Sequence, residues 1–209
     1  MPSYKLMYFN ARGRGEGIRL LFAQAGVEYE DCRLTGEEFR DIKTDPERLP
    51  LGKLPVLIVD NNPPIPQSSA IERYLAREFG MYGKNTLETI RIDVVCETVL
   101  DLFNGTIKFA FEKDEATKAK KKQDFMETDS VNAMKALSKG LQYNSQGKGY
   151  FVGTTVTLAD IRAFVFFEIV EGMMPEMLDK YSDLKDFQAR MKKEPKIAAW
   201  LAKRPESSF

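Results

Sequence analysis

The chain has 209 residues, of which 43% are hydrophobic and 30% are charged, a composition typical of a folded protein with a substantial core. Its 31 basic residues equal its 31 acidic residues in number, so no net charge draws the chain toward nucleic acid or an anionic membrane surface. It contains no histidine, which excludes histidine-based hydrolase triads and histidine-ligated zinc sites.

The first predicted element is a buried strand over residues 5–9, where apolar side chains occupy both faces. A basic, glycine-rich turn follows, and a helix begins near Glu16 and ends before Gly26. Such a junction directs backbone N–H groups and the positive end of the helix dipole toward one point, with Tyr8 at the strand end and Arg14 beside it. We therefore predict an anion site, where a tyrosine could donate a hydrogen bond to a thiolate or oxyanion and lower its pKa.

Other interpretations of this turn are weaker. Gly13, Gly15 and Gly17 do not fit a dinucleotide fingerprint, because Ile18 stands where the motif needs its third glycine. The run of alternating arginine and glycine from residue 12 is a single short copy without interleaved aromatic residues, which argues against RNA binding. A lone tyrosine is more often a core residue, and it is the position of Tyr8 that favours a functional role.

The rest of the first 80 residues predicts a compact α/β unit with mixed strand directions. We expect a strand over 27–34, a short helix or functional loop over 35–48, a strand over 56–59 and, after a tight turn, a short strand at Ile65. A helix then begins at the serines after Gln67, with Ser69 and Glu72 in the spacing of a capping box. The bond before Pro55 is expected to be trans on general frequencies alone.

The remainder, after a linker over residues 80–85, is predicted to be all-helical. We expect a long helix over 86–111, a second over 114–139, a loop over 140–149, a central helix that opens at Thr157 to Asp160, and three short helices. The apolar stripe of the long helix comprises Ile90, Val94, Val95, Val99, Leu102, Phe103, Ile107 and Ala110.

We therefore predict two domains, residues 1–80 and 81–209. Cys32 and Cys96 lie in different domains and are interpreted as small core residues, not as a disulfide framework. We expect no signal peptide, no membrane-spanning segment and a reduced, cytoplasmic protein.

Several motifs, modest one by one, are highly specific in their order and spacing, which cover essentially the whole chain. They are Tyr8-Phe9-Asn10 before Arg12-Gly13-Arg14, Lys53-Leu54-Pro55-Val56-Leu57, Gln67-Ser68-Ser69-Ala70-Ile71, and Gly153 with Thr157-Leu158-Ala159-Asp160. Together they resemble the motifs of cytosolic glutathione transferases of the sigma class.

The resemblance implies a thioredoxin-like α/β N-terminal domain and an all-α C-terminal domain that forms the electrophile site and part of a dimer interface. It implies a homodimer with one glutathione site per subunit, no bound nucleic acid and no membrane. The implied activity is conjugation of the glutathione thiolate to hydrophobic electrophiles, as in detoxification. Glutathione would be the co-substrate, and no metal is expected.

The same resemblance implies roles for individual residues. Tyr8 would stabilise the glutathione thiolate with support from Arg14, and Pro55 would be cis. Gln67 and Ser68 would hold the γ-glutamyl carboxylate, with two lysines near the glycyl end. The full set of implied glutathione contacts is Tyr8, Phe39, Lys43, Lys53, Leu54, Pro55, Gln67 and Ser68.

Further implied roles fall on the helical domain and on one departure from the family pattern. Phe9, Phe103 and Ile107 would line the electrophile pocket, and Glu97 or Asp101 of the partner subunit would approach the γ-glutamyl amine. Asp160 would cap the central helix, which is a folding role. Phe39 stands where sigma-class enzymes commonly have tryptophan, so a missing indole N–H would weaken glutathione binding by ~1 to 2 kcal/mol.

Two alternatives remain open. A glutathione-dependent prostaglandin D synthase would use the same thiolate in an isomerisation and would need a deep, shaped pocket. A structural crystallin would keep the fold with little activity, although the methionine enrichment expected of S-crystallins is not evident in a chain with 9 methionines. The sequence does not fix the physiological electrophile.

Overall fold

The computed structural model describes residues 2–207, which form two compact units. The first comprises the described residues within Met1–Gly80 and Lys193–Phe209, and the second is Met81–Lys192. The sequence analysis divides the chain after residue 80 but assigns everything beyond it to the helical domain. The segment from Lys193 instead groups with the first unit, because its helix contacts the first helix of the chain.

The first unit is built on a four-stranded sheet. Its elements are β1 Tyr4–Phe9, α1 Glu16–Ala25, β2 Glu30–Leu34, α2 Gly36–Ile42, β3 Val56–Val59, β4 Ile65–Pro66 and α3 Ser68–Glu78. The strand order is β2-β1-β3-β4, in which β1 and β2 are parallel and the other pairs are antiparallel. The mixed directions follow the prediction, and they place the end of β1 in the middle of the sheet.

One predicted boundary and one predicted helix cap in this unit are wrong. The second strand begins at Glu30 and not at residue 27. Gly26 ends α1 in a left-handed conformation with φ 72°, and residues 27–29 then connect the helix to the strand. Helix α3 begins at Ser68 with Gln67 as its N-cap, and Gln67 makes no side-chain cap hydrogen bond. Ser69 therefore lies inside the helix and is not the capping residue that the spacing to Glu72 predicts.

The second unit is helical throughout its regular structure. Its helices are α4 Thr86–Ala110, α5 Glu115–Asp124, α6 Val131–Tyr143, α7 Leu158–Met173, α8 Pro175–Asp179 and α9 Ser182–Met191. Helix α10, Pro195–Lys203, follows and belongs to the first unit. None of the helices among residues 2–207 is both long and apolar enough to cross a lipid bilayer.

The second predicted helix is interrupted by a π-helical turn over Phe125–Asp129. This turn carries the ring of Phe125, which is 3% exposed, to the surface of α4 at Gly105. A Cβ atom at Gly105 would lie 2.4 Å from a ring carbon of Phe125, so only glycine allows this approach. Helix α6 then continues to Tyr143, and the predicted loop over 140–149 begins later than expected.

The apolar stripe predicted for α4 is only partly core. Ile90 and Val94 are 53% and 58% exposed, whereas Val95 and Val99 are buried with Ile92. Helix α4 therefore carries apolar side chains on two faces, one against its own unit and one toward the surface of that unit.

Candidate active site

Tyr8 is the last buried residue of β1, and its side chain reaches the turn that follows. The residue is 8% exposed, and its hydroxyl oxygen accepts a hydrogen bond from the backbone N–H of Arg14 at 3.0 Å. Burial raises the pKa of the Tyr8 phenol, and the hydrogen bond from Arg14 and the charges of Arg19 and Arg14 act in the opposite direction. The phenol therefore stays protonated at neutral pH, and its own proton remains available for donation.

The glycines of the turn allow Tyr8 to lie against the backbone. Gly13 has φ 36°, and a Cβ atom there would lie 2.7 Å from the Tyr8 hydroxyl oxygen. A Cβ atom at Gly15 would lie 2.4 Å from Cδ1 of the Tyr8 ring. The sequence analysis connects these glycines with the turn alone, whereas the structure connects them with the position of the tyrosine.

Arg19 is a residue of this region that the sequence analysis missed. It lies on α1 with no exposed surface, and its guanidinium lies 5.7 Å from the centre of the Tyr8 ring. Its Nη1 and Nη2 donate to the carbonyl oxygens of Ala11 at 2.6 Å and Phe9 at 3.1 Å, and its Nε donates to Asp31 at 3.1 Å. The sequence carried one signal for this residue. Arg19 stands among the apolar residues of α1, at a position that is not expected to face solvent.

Glu16, which the sequence analysis places only at the start of the first helix, is a buried acceptor. It is 1% exposed, and its Oε1 accepts hydrogen bonds from Trp200 Nε1 at 2.8 Å and from Arg204 Nη1 at 3.0 Å. Its Oε2 lies 3.6 Å from Arg19 Nη1. Glu16 thereby ties the C-terminal end of α10 to the first turn of α1.

A pocket in the first unit brings together five of the eight predicted glutathione contacts and the predicted catalytic residue Arg14. The bond between Leu54 and Pro55 is cis, as the resemblance implies. Ser68 is the buried first residue of α3, beside an exposed Gln67. The pocket is lined by Arg14, Leu51, Lys53, Leu54, Pro55, Pro66, Gln67 and Ser68.

The three other predicted contacts, Tyr8, Phe39 and Lys43, do not line this pocket. The ring of Phe39 packs edge-on against Phe9 with 5.1 Å between ring centres, and it covers a core cluster that includes Met7 and Val56. Lys43 is exposed, with its ammonium 5.8 Å from the centre of the Phe39 ring. In this structure Phe39 therefore serves packing.

The predicted residues of the helical domain lie along α4. Phe103 is 8% exposed and Ile107 is half-buried. Glu97 and Asp101 are exposed and lie one turn apart on the same helix. Their roles stay predictions, as does that of Phe9, which is half-buried at the end of β1.

Asp160 is a capping residue, as expected. It is fully buried at the start of α7, and it forms a capping box with Thr157. Its carboxylate accepts from the backbone N–H of Phe151 at 2.7 Å and from the N–H and hydroxyl of Thr157 at 2.8 and 2.6 Å. Burial raises the pKa of Asp160 from 3.8 to about 6.

No group of three or more cysteine, aspartate or glutamate side chains within residues 2–207 is arranged to hold a metal ion. The expectation that the protein needs no metal stays a prediction.

Comparisons with known proteins agree with this geometry. Residues 4–77 match the family described as Glutathione S-transferase, N-terminal domain, and residues 100–204 match Glutathione S-transferase, C-terminal domain. The chain is 40% identical to Hematopoietic prostaglandin D synthase of Gallus gallus and 38% identical to S-crystallin SL11 of Nototodarus sloanii, each over the full length of both chains. A solved structure of the Fasciola hepatica sigma class GST has 30% identity and a TM-score of 0.91, covering 100% of this chain and 99% of the other. The chain belongs to the glutathione S-transferase family, and its similarity extends to the sigma class.

Proposed function

We propose that this protein ionises the thiol of glutathione and transfers the sulfur to hydrophobic electrophiles. One observation carries the proposal. The protonated, buried hydroxyl of Tyr8 accepts a hydrogen bond from the backbone N–H of Arg14, and Arg14 also lines the pocket that contains cis-Pro55, Gln67 and Ser68.

The chemistry follows from what Tyr8 donates. A thiol of ordinary pKa near ~8.5 is mostly protonated at neutral pH, and a hydrogen bond to the sulfur anion shifts that equilibrium toward the thiolate, which is the nucleophile. Tyr8 accepts from Arg14 N–H and donates its own proton to the sulfur. The positive charge of Arg14 favours the anion further.

Binding of the tripeptide would use different groups. The N-terminus of α3, which has 11 residues, directs the positive end of its dipole toward the γ-glutamyl carboxylate beside Gln67 and Ser68. Lys53 and Lys43 supply positive charge for the glycyl carboxylate. Phe39 offers that carboxylate no hydrogen bond, so we expect binding somewhat weaker than with a donor at this position.

The test separates binding from chemistry. Calorimetric titration with glutathione and turnover of chlorodinitrobenzene are measured for the wild type and for Tyr8→Phe. We expect kcat to fall by about 10²-fold in Tyr8→Phe, as on removal of a donor to a developing anion, with the glutathione Kd nearly unchanged.

Tyr143→Phe is the matched control, because Tyr143 is 80% exposed on the second unit and its hydroxyl has no proposed role. Unchanged turnover in Tyr8→Phe would contradict the role of Tyr8. Absence of glutathione binding in the wild type would contradict the proposed function as a whole.

A glutathione-dependent isomerisation is a second candidate, favoured by the similarity to a prostaglandin D synthase. It would use the same thiolate, with an electrophile pocket that includes Phe9, Phe103 and Ile107. Product analysis with prostaglandin H decides between conjugation and isomerisation.

A crystallin-like structural role is the third candidate, favoured by the similarity to S-crystallins. A crystallin that has lost activity should not turn over chlorodinitrobenzene. Retention on immobilised glutathione together with steady turnover would exclude it.

We further propose that the protein is a homodimer. Leu87, Ile90 and Val94 are 58%, 53% and 58% exposed along α4, and this apolar face is unusual for a protein surface. Glu97 and Asp101 continue along the same helix and are our candidates for the contact with the partner's glutathione. Light scattering should give twice the chain mass for the wild type and the chain mass for Val94→Asp.

The proposed setting is detoxification in the cytoplasm. Cys32 and Cys96 are not joined by a disulfide, which suits a reducing compartment. Cell fractionation and measurement of conjugates after exposure of cells to an electrophile test this proposal.

A further inference from the structure

We propose that Arg19 is the positioning residue of the Tyr8 phenol. It fixes the backbone at the end of β1 and in the turn that follows, and its guanidinium contacts the Tyr8 ring. The proposal rests on the role proposed above for Tyr8. Arg19 itself does not line the pocket and is not assigned contact with a substrate.

The contacts of Arg19 fall on both sides of the point where the strand becomes the turn. Phe9 directly follows Tyr8, and Ala11 lies two residues beyond; the guanidinium binds the carbonyl oxygen of each, at 3.1 and 2.6 Å. Its Nε is fixed in turn by Asp31 of β2 at 3.1 Å. A side chain with no exposed surface and three fixed acceptors has little freedom, so the backbone that carries the phenol is fixed as well.

The ring of Tyr8 depends on this backbone because its surroundings are tight. Gly13 and Gly15 leave no room for even a Cβ atom beside the phenol, and the hydroxyl must meet the N–H of Arg14 at 3.0 Å. A displacement of about 1 Å at such a site can lower a rate by about 10²-fold. The guanidinium of Arg19, 5.7 Å from the ring centre, adds a cation–π contact to the same ring.

The charges around Arg19 come from three elements. Glu16 of α1 lies 3.6 Å away and Asp31 of β2 lies 3.1 Å away. Asp31 also binds Arg33 of β2 at 2.8 Å, and Glu16 also binds Arg204, beyond α10, at 3.0 Å. Three guanidiniums against two carboxylates leave one positive charge in the cluster.

Within this cluster it is the charge of Arg19 that acts on the phenol. The charge of Arg19 lowers the pKa of Tyr8 against the effect of burial, and a phenol of lower pKa is a stronger hydrogen-bond donor. Loss of Arg19 should thus displace the ring and raise the pKa of Tyr8, two effects that a merely structural arginine would not combine.

The experiment uses the whole chain with ζ-carbon-labelled tyrosine, and the Tyr8 resonance is assigned by its loss in Tyr8→Phe. Arg19→Met removes the charge and all three hydrogen bonds, and Arg19→Lys keeps the charge but cannot bind two carbonyl oxygens and Asp31 together. Arg33→Met is the control, because it removes the arginine that binds the other oxygen of Asp31 at 2.8 Å and Oδ1 of Asn10 at 2.9 Å, while the hydrogen bonds of Arg19 to the backbone remain. The readouts are the titration of the Tyr8 resonance, kcat with chlorodinitrobenzene and the glutathione Kd.

We expect Arg19→Met to shift the Tyr8 resonance and to move its titration to higher pH. Both Arg19 variants should lower kcat by about tenfold or more, while the glutathione Kd changes by less than about threefold. Arg33→Met should keep the wild-type resonance and a kcat within about twofold of wild type.

An unshifted Tyr8 titration in folded Arg19→Met, or wild-type kcat in Arg19→Lys, would overturn the proposal. If circular dichroism shows that Arg19→Met does not fold, the kcat of Arg19→Lys decides. If the wild type neither binds nor turns over glutathione, the proposed function fails, and the Tyr8 resonance still decides the role of Arg19.

Discussion

Among the described residues, Glu16 in the first unit and Asp160 in the second are carboxylates with at most 1% exposure, and they are stabilised in different ways. Glu16 is 1% exposed and faces the guanidiniums of Arg19 and Arg204 as well as the indole of Trp200. Asp160 is fully buried and accepts from three neutral donors on two residues.

The comparison teaches how far neutral donors can stabilise a buried carboxylate. Neutral donors compensate only part of the loss of hydration, so burial raises the pKa of Asp160 from 3.8 to about 6. Glu16 instead belongs to a set of ion pairs that connects α10 to the turn at Tyr8. We conclude that Asp160 serves folding, and that Glu16 serves the geometry of the candidate active site.

The largest expected effect on stability is the loss of Asp160. Asp160→Ala leaves three buried donors of Phe151 and Thr157 without an acceptor, and we expect the free energy of unfolding to fall by about 3 kcal/mol or more. Urea unfolding measures it. Asp179→Ala, which removes an exposed carboxylate paired with Lys185, is the control and should change stability by less than about 0.5 kcal/mol. Equal losses in both variants would contradict the account.

The same site predicts a pH dependence of comparable size. The pKa of Asp160 is about 6 when folded against an ordinary value of 3.8, so the folded state binds the proton more tightly. The contribution of this proton to stability is complete below about pH 4 and is lost as the pH rises through about 6, with a total of about 3 kcal/mol.

Asp160→Asn has no proton to titrate at this site and serves as the reference. The excess stability of the wild type over Asp160→Asn should therefore decrease as the pH rises from about 4 to about 6, and should then stay constant. A difference that is independent of pH, or one that increases over this range, would contradict the prediction.

The glycines of the two units offer an intermediate test. A Cβ atom at Gly15 or at Gly105 would lie 2.4 Å from a ring carbon, of Tyr8 in one case and of Phe125 in the other. Gly105→Ala should lower stability by about 1 to 3 kcal/mol and leave the glutathione Kd unchanged. Gly15→Ala should displace Tyr8 and lower kcat by about tenfold or more. The distinction fails if both variants lose stability alone.

The smallest expected effect comes from one hydrogen bond at Glu16. Trp200→Phe keeps the aromatic ring but removes the Nε1 donor, and Glu16 retains Arg204 and Arg19, so unfolding should become easier by about 1 kcal/mol. Arg204→Met, which removes a charged donor, should have the larger effect, about 1.5 to 3 kcal/mol. The reverse order would show that ion pairing is not what stabilises Glu16.

Much of the fold could be predicted from local patterns. The run at residues 56–59 is a strand with the expected bounds, and the Thr157 and Asp160 spacing marks the start of α7, because caps and alternation are local properties. The cis bond at Pro55 and the grouping of Arg14, Lys53, Gln67 and Ser68 were available only from the family resemblance.

What could not be predicted depends on partners distant in sequence. Glu16 and Trp200 are 184 positions apart, and no local pattern distinguishes a buried glutamate from the usual exposed one. Arg19 stands among apolar residues of α1, but its partners Phe9, Ala11 and Asp31 are identified only by the fold. Ile90 and Val94 belong to the predicted apolar stripe of α4 but are exposed in the structure, because an apolar pattern does not specify what covers it.

The most direct test of the central claim is the pKa of the glutathione thiol in its complex with the protein. Ultraviolet absorbance of the thiolate, followed against pH, measures it in the wild type and in Tyr8→Phe at saturating glutathione. We predict a pKa well below the ordinary ~8.5 in the wild type and a value at least about one pH unit higher in Tyr8→Phe. The same thiol pKa in both proteins would contradict the role of Tyr8 as the donor to the sulfur.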